Sequence, residues 1–476
     1  NLHLNAFDHD LLVKTNLNID FKGSEIDDAY GNGYLTNTYL LYDKNKEIFI
    51  DTLHLQSDIL SDTTRIIEIN SDVISASIKG NFKPTIIAHD FSEFAQEVIQ
   101  SISGDSLNVV KYYKDKVSHQ ENQYHATYDI KLHDINSFLN IYTPGLYISG
   151  ESKIRGRFNS GRTKIIKSFA LIDTIYYKGF EFRKNKINLF CSQRNDSSEV
   201  LGNVTFTSEN QINSSFIQTE NLILESVLAG EHADFYFNAK QKNATNSTKV
   251  SGTIDLFEPY NIITFTNSNL LIKDKNWAFE NDRKIYFNSA SIILDSISIF
   301  NLDQRITLAG KSANGQTNGS MLMKKINIED FAHFVTPIKL KGIIDGNLHL
   351  GESNVDSKVS ITNFNIDTLY IGDVEGKTGW STEAKRMNMD VDILRKSENI
   401  FKLTGYYIPE NTEHSEDMNL VASFTKTDIS PLNAIAKDVF TNISGLATGY
   451  ATITGTLSEP IVKGSIDVED GQFTIP

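Results

Sequence analysis

The sequence predicts an all-β fold with a few short helices, built as one long sheet that curls into a groove with an apolar inner face. Three observations predict it: period-two alternation, recurrence of that alternation along nearly the whole chain, and glycines returning at similar points within it. "MNMDVDIL" sets Met387, Met389, Val391 and Ile393 on one face and Asn388, Asp390 and Asp392 on the other, the signature of a strand with one wet face. "DFYFNAK" repeats it with Phe235, Phe237 and Ala239, and "KVSITNF" with Val359 and Ile361. Leu348 and Leu350, and Ala451 and Ile453, form further pairs of the same kind. Turn-formers such as "AGEH" and "KSANGQTNGS" separate the runs roughly every dozen residues. A single β-sandwich has that spacing for about a hundred residues; this chain of 476 residues sustains it far longer.

Four segments break the pattern with helical spacing, at about 90–101, 134–142, 327–335 and 430–440. "DFSEFAQEVI" places Phe91, Phe94, Ala95 and Val98 on one side, and Asp90 with Glu93 reads as a capping box. Ile135, Phe138, Leu139 and Tyr142 repeat the spacing, as do Ile328, Phe331, Ala332 and Val335. In the fourth, Leu432, Ile435, Ala436, Val439 and Phe440 form the stripe, with Ser430 placed to cap and Pro431 at the first helical position. Helices of two or three turns do not stand alone, so each must lie on something apolar.

Three of these helices are followed by glycine-punctuated strand runs. Gly145, Gly150 and Gly156 match Gly342, Gly346 and Gly351, and both sets match Gly445, Gly449 and Gly455. This is a degenerate internal repeat, too irregular for a propeller or a strict β-helix. Glycine weakens a strand unless it serves a bulge, a bend or the close approach of another backbone; ordinary hairpin turns are the plainer alternative. The whole of 1–476 is expected to be one continuous groove punctuated by these units.

The composition excludes several functions. With 45 Lys+Arg against 60 Asp+Glu, and no basic block in the sequence, nucleic acid and anionic membrane surfaces are disfavoured partners. The single cysteine, Cys191, rules out an internal disulfide framework and reads as a small buried hydrophobe. No phosphate loop, zinc-protease motif, nucleophile elbow or dinucleotide fingerprint occurs. Asp8, His9 and Asp10 alternate across a strand and read as a solvated face rather than a metal site. No enzyme, no cofactor and no metal are expected. What remains is the apolar strand faces themselves: either two sheets close on them, or an open gutter leaves them lining a groove too large to expose without purpose.

The closing run "GLATGYATITGTLSEPIVKGSIDVEDGQFTIP" resembles the TamB proteins of Gram-negative envelopes, within the wider AsmA-like group. Gly445, Gly449, Ile453, Gly455, Leu457, Pro460, Gly464, Ile466, Val468, Asp470, Gly471 and Phe473 fit the family's recurring pattern one by one. "IDDAYGNGYL", "IFIDTLHLQSD" and "IIEINSDVISASIKGNF" resemble the strand phrasing of Bacteroidetes-type members, and the likeness is thin between residues 160 and 325. The resemblance implies a β-taco that carries phospholipid acyl chains across the periplasm between inner and outer membrane. It also implies outer-membrane biogenesis with a barrel partner of the TamA or BamA type. The membrane anchor and the barrel-facing region of such a protein lie outside this chain, which is expected to be an internal fragment. The lining residues this implies are Phe235, Phe237, Leu348, Leu350, Val359, Ile361, Met387, Met389, Val391, Ile393, Ala451 and Ile453. A structural or adhesive β-solenoid with a closed core, of a kind that could bind glycan, is the rival reading.

Overall fold

A computed structural model describes the chain apart from residues 1, 7–8, 43–45, 62, 104–122, 198, 214–216, 257–258, 335–337, 352–354, 382–383, 410–414, 435–440 and 475–476. The protein is all-β with few helices, its strands antiparallel throughout. Its residues gather into two compact units, Asn1–Ser268 and Asn269–Pro476. Each unit is a meander in which most strands pair with the one before and the one after.

In the N-terminal unit a helix and the short strand Leu146–Ile148 intervene between Tyr124–Leu132 and Ser152–Ser160, which still pair with each other. In the C-terminal unit the short strands Lys275–Phe279 and Lys284–Phe287 share one partner, Ser291–Asn301.

Bulges bend these meanders at many pairings. Register slips between Glu220 and Ile223, Leu294 and Ile297, Met323 and Ile326, Ile361 and Phe364, and Phe424 and Thr427. A residue with left-handed backbone sits inside each of these slips: Asn221, Ser296, Lys325, Asn363 and Lys426. An extra residue in one strand sharpens local twist and bends the sheet. The repeat glycines divide among the roles expected of them. Gly445 lies in a slip with φ 129°, whereas Gly449, with φ 146°, lies so close to the next strand that a Cβ would stand 2.2 Å from the Ser465 carbonyl oxygen. Gly145 and Gly455 flank turns, as the plainer alternative has it.

Among the described residues there are three α-helices: α1 (Pro84–Ser103), α2 (Asn136–Tyr142) and α3 (Ile328–Phe331, continued by a 3-10 turn Ala332–Phe334). The first corrects the expectation for 90–101. It runs 20 residues from Pro84, so Asp90 and Glu93 lie inside it and form no capping box. The cap comes from elsewhere in the chain: Asp27 accepts the Thr85 backbone N–H at 3.0 Å and its hydroxyl at 2.8 Å. In α2 the buried side is Ile135, Phe138 and Ile141; Tyr142, expected to pack, is 75% exposed. In α3 Asn327 supplies the cap to the Glu329 N–H, and Val335 lies outside the described residues. The fourth segment is a 3-10 turn, Ser430–Ala434, opened by Asp428 rather than Ser430, since Asp428 accepts the Ser430 N–H at 2.9 Å. Leu432 is exposed, and residues 435–440 lie outside the described residues.

The repeat inferred from the sequence has a structural counterpart. Asn136 donates to the Ile148 carbonyl at 3.1 Å and accepts its N–H at 3.0 Å. Asn433 does the same to Ile443, at 2.7 and 2.8 Å. In both cases a helical-segment asparagine clips the first strand of the glycine run.

Candidate functional site: an apolar sheet face and the helices that cover it

Directly opposed residues of neighbouring strands share a face, so pairing register turns the sequence alternation into rows. In the N-terminal unit one row reads Ile19, Gly33, Leu55, Ile69, Ala76, Ile130, Ile154, Ala170, Ile187, Phe206, Leu224, Phe237, Val250. No polar side chain interrupts it. The row one residue over, on the opposite face, reads Asp20, Asn32, Gln56, Glu68, Ser77, Asp129, Arg155, Phe169, Asn188, Thr205, Glu225, Tyr236, Ser251. The sheet is two-faced strand after strand.

The C-terminal unit repeats the design with Phe279, Ile299, Ile306, Met323, Gly346, Val359, Gly376, Val391, Leu403, Ala422, Ala451 and Gly464. A parallel row runs Ile326, Ile344, Ile361, Val374, Ile393, Phe401, Phe424, Gly449, Ile466. A third carries Leu348, Met389, Leu420 and Ile453. Its polar members Ser357 and Thr378 satisfy each other at 2.9 Å.

All twelve residues singled out from the sequence lie on these apolar faces. Phe235 and Phe237 belong to the N-terminal unit. The other ten belong to the C-terminal unit, where Val359, Val391 and Ala451 share one row, Leu348, Met389 and Ile453 another, and Ile361 and Ile393 the third. Met387 opposes Trp380 and Tyr407, and Leu350 opposes Gly319 and Val355, at the ends of their strands. Ala451 is buried and Leu350 is exposed; the rest are half-buried.

Most row residues of the N-terminal unit are also half-buried, and Ile19 and Leu224 are exposed. Full burial of a Leu, Ile or Phe side chain is worth ~1.5–3 kcal/mol, so each half-buried one, up to about a third exposed, leaves at most ~0.5–1 kcal/mol unrealised.

Three stretches of the face are covered by helices. Phe94 of α1 packs with Phe82, Tyr124, Ala126, Phe158, Ile166 and Cys191; Phe158 is 1% exposed. Beneath α2 lie Ile48, Ile50, Val73 and Leu53. Phe331 of α3 stands edge-on to Trp277, with ring centroids 5.1 Å apart, above Ile272 and Ile326.

A strand lysine fastens each helix. Lys164 pairs with Glu93 of α1 in a contact almost closed to solvent; Lys46 donates to the Ile141 carbonyl of α2 at 3.0 Å; Lys275 reaches both carboxylate oxygens of Asp330 of α3 at 2.8 Å. Asp90 of α1 also accepts from the Tyr124 and Ser160 hydroxyls, at 2.8 and 3.1 Å. Burial, aided by the Asp90 carboxylate, pushes the Tyr124 phenol far above its ordinary value. None of these fastenings was foreseen, because nothing in a linear pattern joins Lys164 to Glu93.

Beside α1 the covering is incomplete. A cavity of about 470 Å³ is bounded by Phe91, Phe94, Ala95, Val98 and Ile99 of the helix and by Ile166, Leu189, Cys191, Val204, Leu228, Ala233, Ile254 and Leu256 of the sheet. The stripe read from "DFSEFAQEVI" is the helical wall of this cavity. Its volume lies in the range of small-molecule sites, and Asn203 and Ser226 are the polar residues on its boundary. Burial pushes the Cys191 thiol up to about 11, which makes it an inert wall element rather than a nucleophile.

His89, Asp90 and Glu93 bring their ligand atoms together on α1. Glu93 is already committed to Lys164 and Asp90 to two hydroxyls, so these residues act in docking the helix. The chain matches no protein-family model, no curated protein and no solved structure.

Proposed function

We propose that this chain is a non-enzymatic carrier of lipid, in which phospholipid acyl chains lie against the apolar rows while headgroups stay at the open edge. The observation that supports it is the run of uninterrupted apolar rows in both units, most of whose side chains are only half-buried. A closed-core solenoid would bury them. Each methylene moved from water onto such a face gains ~0.8 kcal/mol, and since the rows carry no polar anchor the gain is the same at every step. That suits movement along a face better than tight capture at one point. Within the reading suggested by the sequence, the carrier works in the periplasm of a Gram-negative bacterium. It forms part of an inner-membrane-anchored protein that delivers lipid toward a TamA- or BamA-type barrel and supports outer-membrane biogenesis.

Photo-crosslinking tests the reading. A crosslinkable residue replacing Met389 or Ile453 is expected to capture phospholipid, and one replacing Asp390, on the opposite face, is not. Equal capture at 389 and 390 would sink the proposal. Cys191 supplies a second readout, since it is the only cysteine in the chain and lines the cavity beside α1. Its alkylation by a small maleimide should be slow at neutral pH and slower still with phospholipid bound.

A further inference from the structure

The polar face of the N-terminal unit holds something that the acidic composition conceals. Along Ser152–Ser160 the alternation places Lys153, Arg155 and Arg157 on that face. Pairing register sets Lys167 directly opposite Arg157, and Lys131 directly opposite Lys153. Like charges directly opposed across an antiparallel pair destabilise it. In a chain of net charge −15, two such pairs side by side call for an explanation.

Local carboxylates account for part of the charge. Glu151 holds Lys131 at 2.5 Å, and Asp129 stands 3.9 Å from Arg155. Among the described residues no carboxylate pairs with Arg157 or Lys167; the Lys167 ammonium rests instead over the Phe190 ring, 5.1 Å from its centroid. Both belong to an open depression of about 540 Å³, whose boundary also carries Arg155, Thr127, Asn188 and Asn203. Two guanidiniums, an ammonium, a hydroxyl and two amides line it. The guanidinium fork matches an oxyanion bidentately and the ammonium adds a point charge.

We infer that this depression binds the phosphate group of a phosphate ester, with Arg157 and Lys167 as its principal charges. The volume exceeds what a bare phosphate fills, which favours an ester over the free ion. The site lies on the face opposite the apolar rows, so it stands or falls separately from the lipid-carrier reading. Its ligand could be a soluble phosphate ester or a phospholipid headgroup.

Titration calorimetry with glycerol 3-phosphate, and flotation with phosphatidylglycerol vesicles against phosphatidylcholine vesicles, separate those two sources on the intact chain. Saturable binding of glycerol 3-phosphate without flotation assigns a soluble ester; selective flotation with phosphatidylglycerol assigns the headgroup. In either case the exposed double variant Arg157→Gln with Lys167→Gln should weaken binding by about tenfold or more, while Lys249→Gln, a cation elsewhere in the unit, should leave it unchanged. Binding of neither probe, or binding indifferent to the double variant, overturns the inference. Phospholipid crosslinking at Met389 reports on the apolar face alone and so distinguishes the two failures.

Discussion

The stretch of apolar face beneath α1 and the stretch formed by residues 355–408 of the C-terminal unit are built from the same alternation, yet they differ in how dry they are. Under α1, Ala126, Phe158, Cys191 and Val200 are buried, the first and last completely. Across Val355–Ile366, Arg386–Arg395 and Glu398–Ile408 no residue is buried, and in the intervening strand Leu369–Ser381 only Ile371 and Gly372 are. The strands are of similar length and the rows equally apolar, so the difference comes from the helix. The lesson is that in these units a sheet face is dried by what is laid on it. A helix stripe and an acyl chain are physically equivalent coverings, and the cavity beside α1 is where the helical covering stops short.

The comparison can be broken by truncating one residue in each stretch. Phe158→Ala removes a ring that touches Phe94 and Tyr124 and should cost ~3–5 kcal/mol, whereas half-exposed Val391→Ala should cost about 1 kcal/mol. Urea denaturation followed by circular dichroism measures both. Equal losses would mean that the bare stretch is as tightly packed as the covered one. Next in size is the fastening of α1. Lys164→Met removes the ammonium that pairs with the Glu93 carboxylate, which is only 16% exposed, at a cost of about 3 kcal/mol. Adding Glu93→Gln should restore most of that loss, and amide exchange within Pro84–Ser103 should speed up in the single variant alone.

Much of this was legible in the sequence, and the reasons are local. Alternation in "MNMDVDIL" or "DFYFNAK" is a property of neighbouring residues, so the faces follow from it directly. The stripe Phe91, Phe94, Ala95, Val98 likewise requires only helical geometry. What was not legible depends on partners far along the chain. The start of α1 is not legible locally because its cap, Asp27, lies nearly sixty residues upstream. Glycine marks only some of the bulges; others fall on Asn221, Lys325 and Lys426, where the energetic cost of left-handed backbone is met by the register of two strands rather than by residue type. The basic depression was hidden for the same reason: Arg157 and Lys167 become neighbours only once their strands pair.

The smallest effect contrasts two histidines that stand in the two units with opposite bias. His232 opposes Asp255 across its strand pair, with Nδ1 2.6 Å from the carboxylate, and that hydrogen bond raises its pKa. His333, in the 3-10 turn after α3, is shifted down, first by burial and then by the charge of Lys273. The signs oppose each other. The His232 contribution is fully present below the unfolded value, about 6.5, and is lost as pH rises through the higher folded value. At His333 stability is greatest above that unfolded value and falls as pH drops through the lower folded value. Because the His232 side chain is half exposed, solvent screening holds its effect to a few tenths of a kcal/mol, on the order expected of surface pairs. A proton-NMR titration of the imidazoles should therefore place His232 above and His333 below the ordinary range. Asp255→Asn should lower His232 toward that range, Asp234 still holding part of the shift, without moving His333, and coincident titration of the two rings in the unaltered chain would remove the contrast between the units.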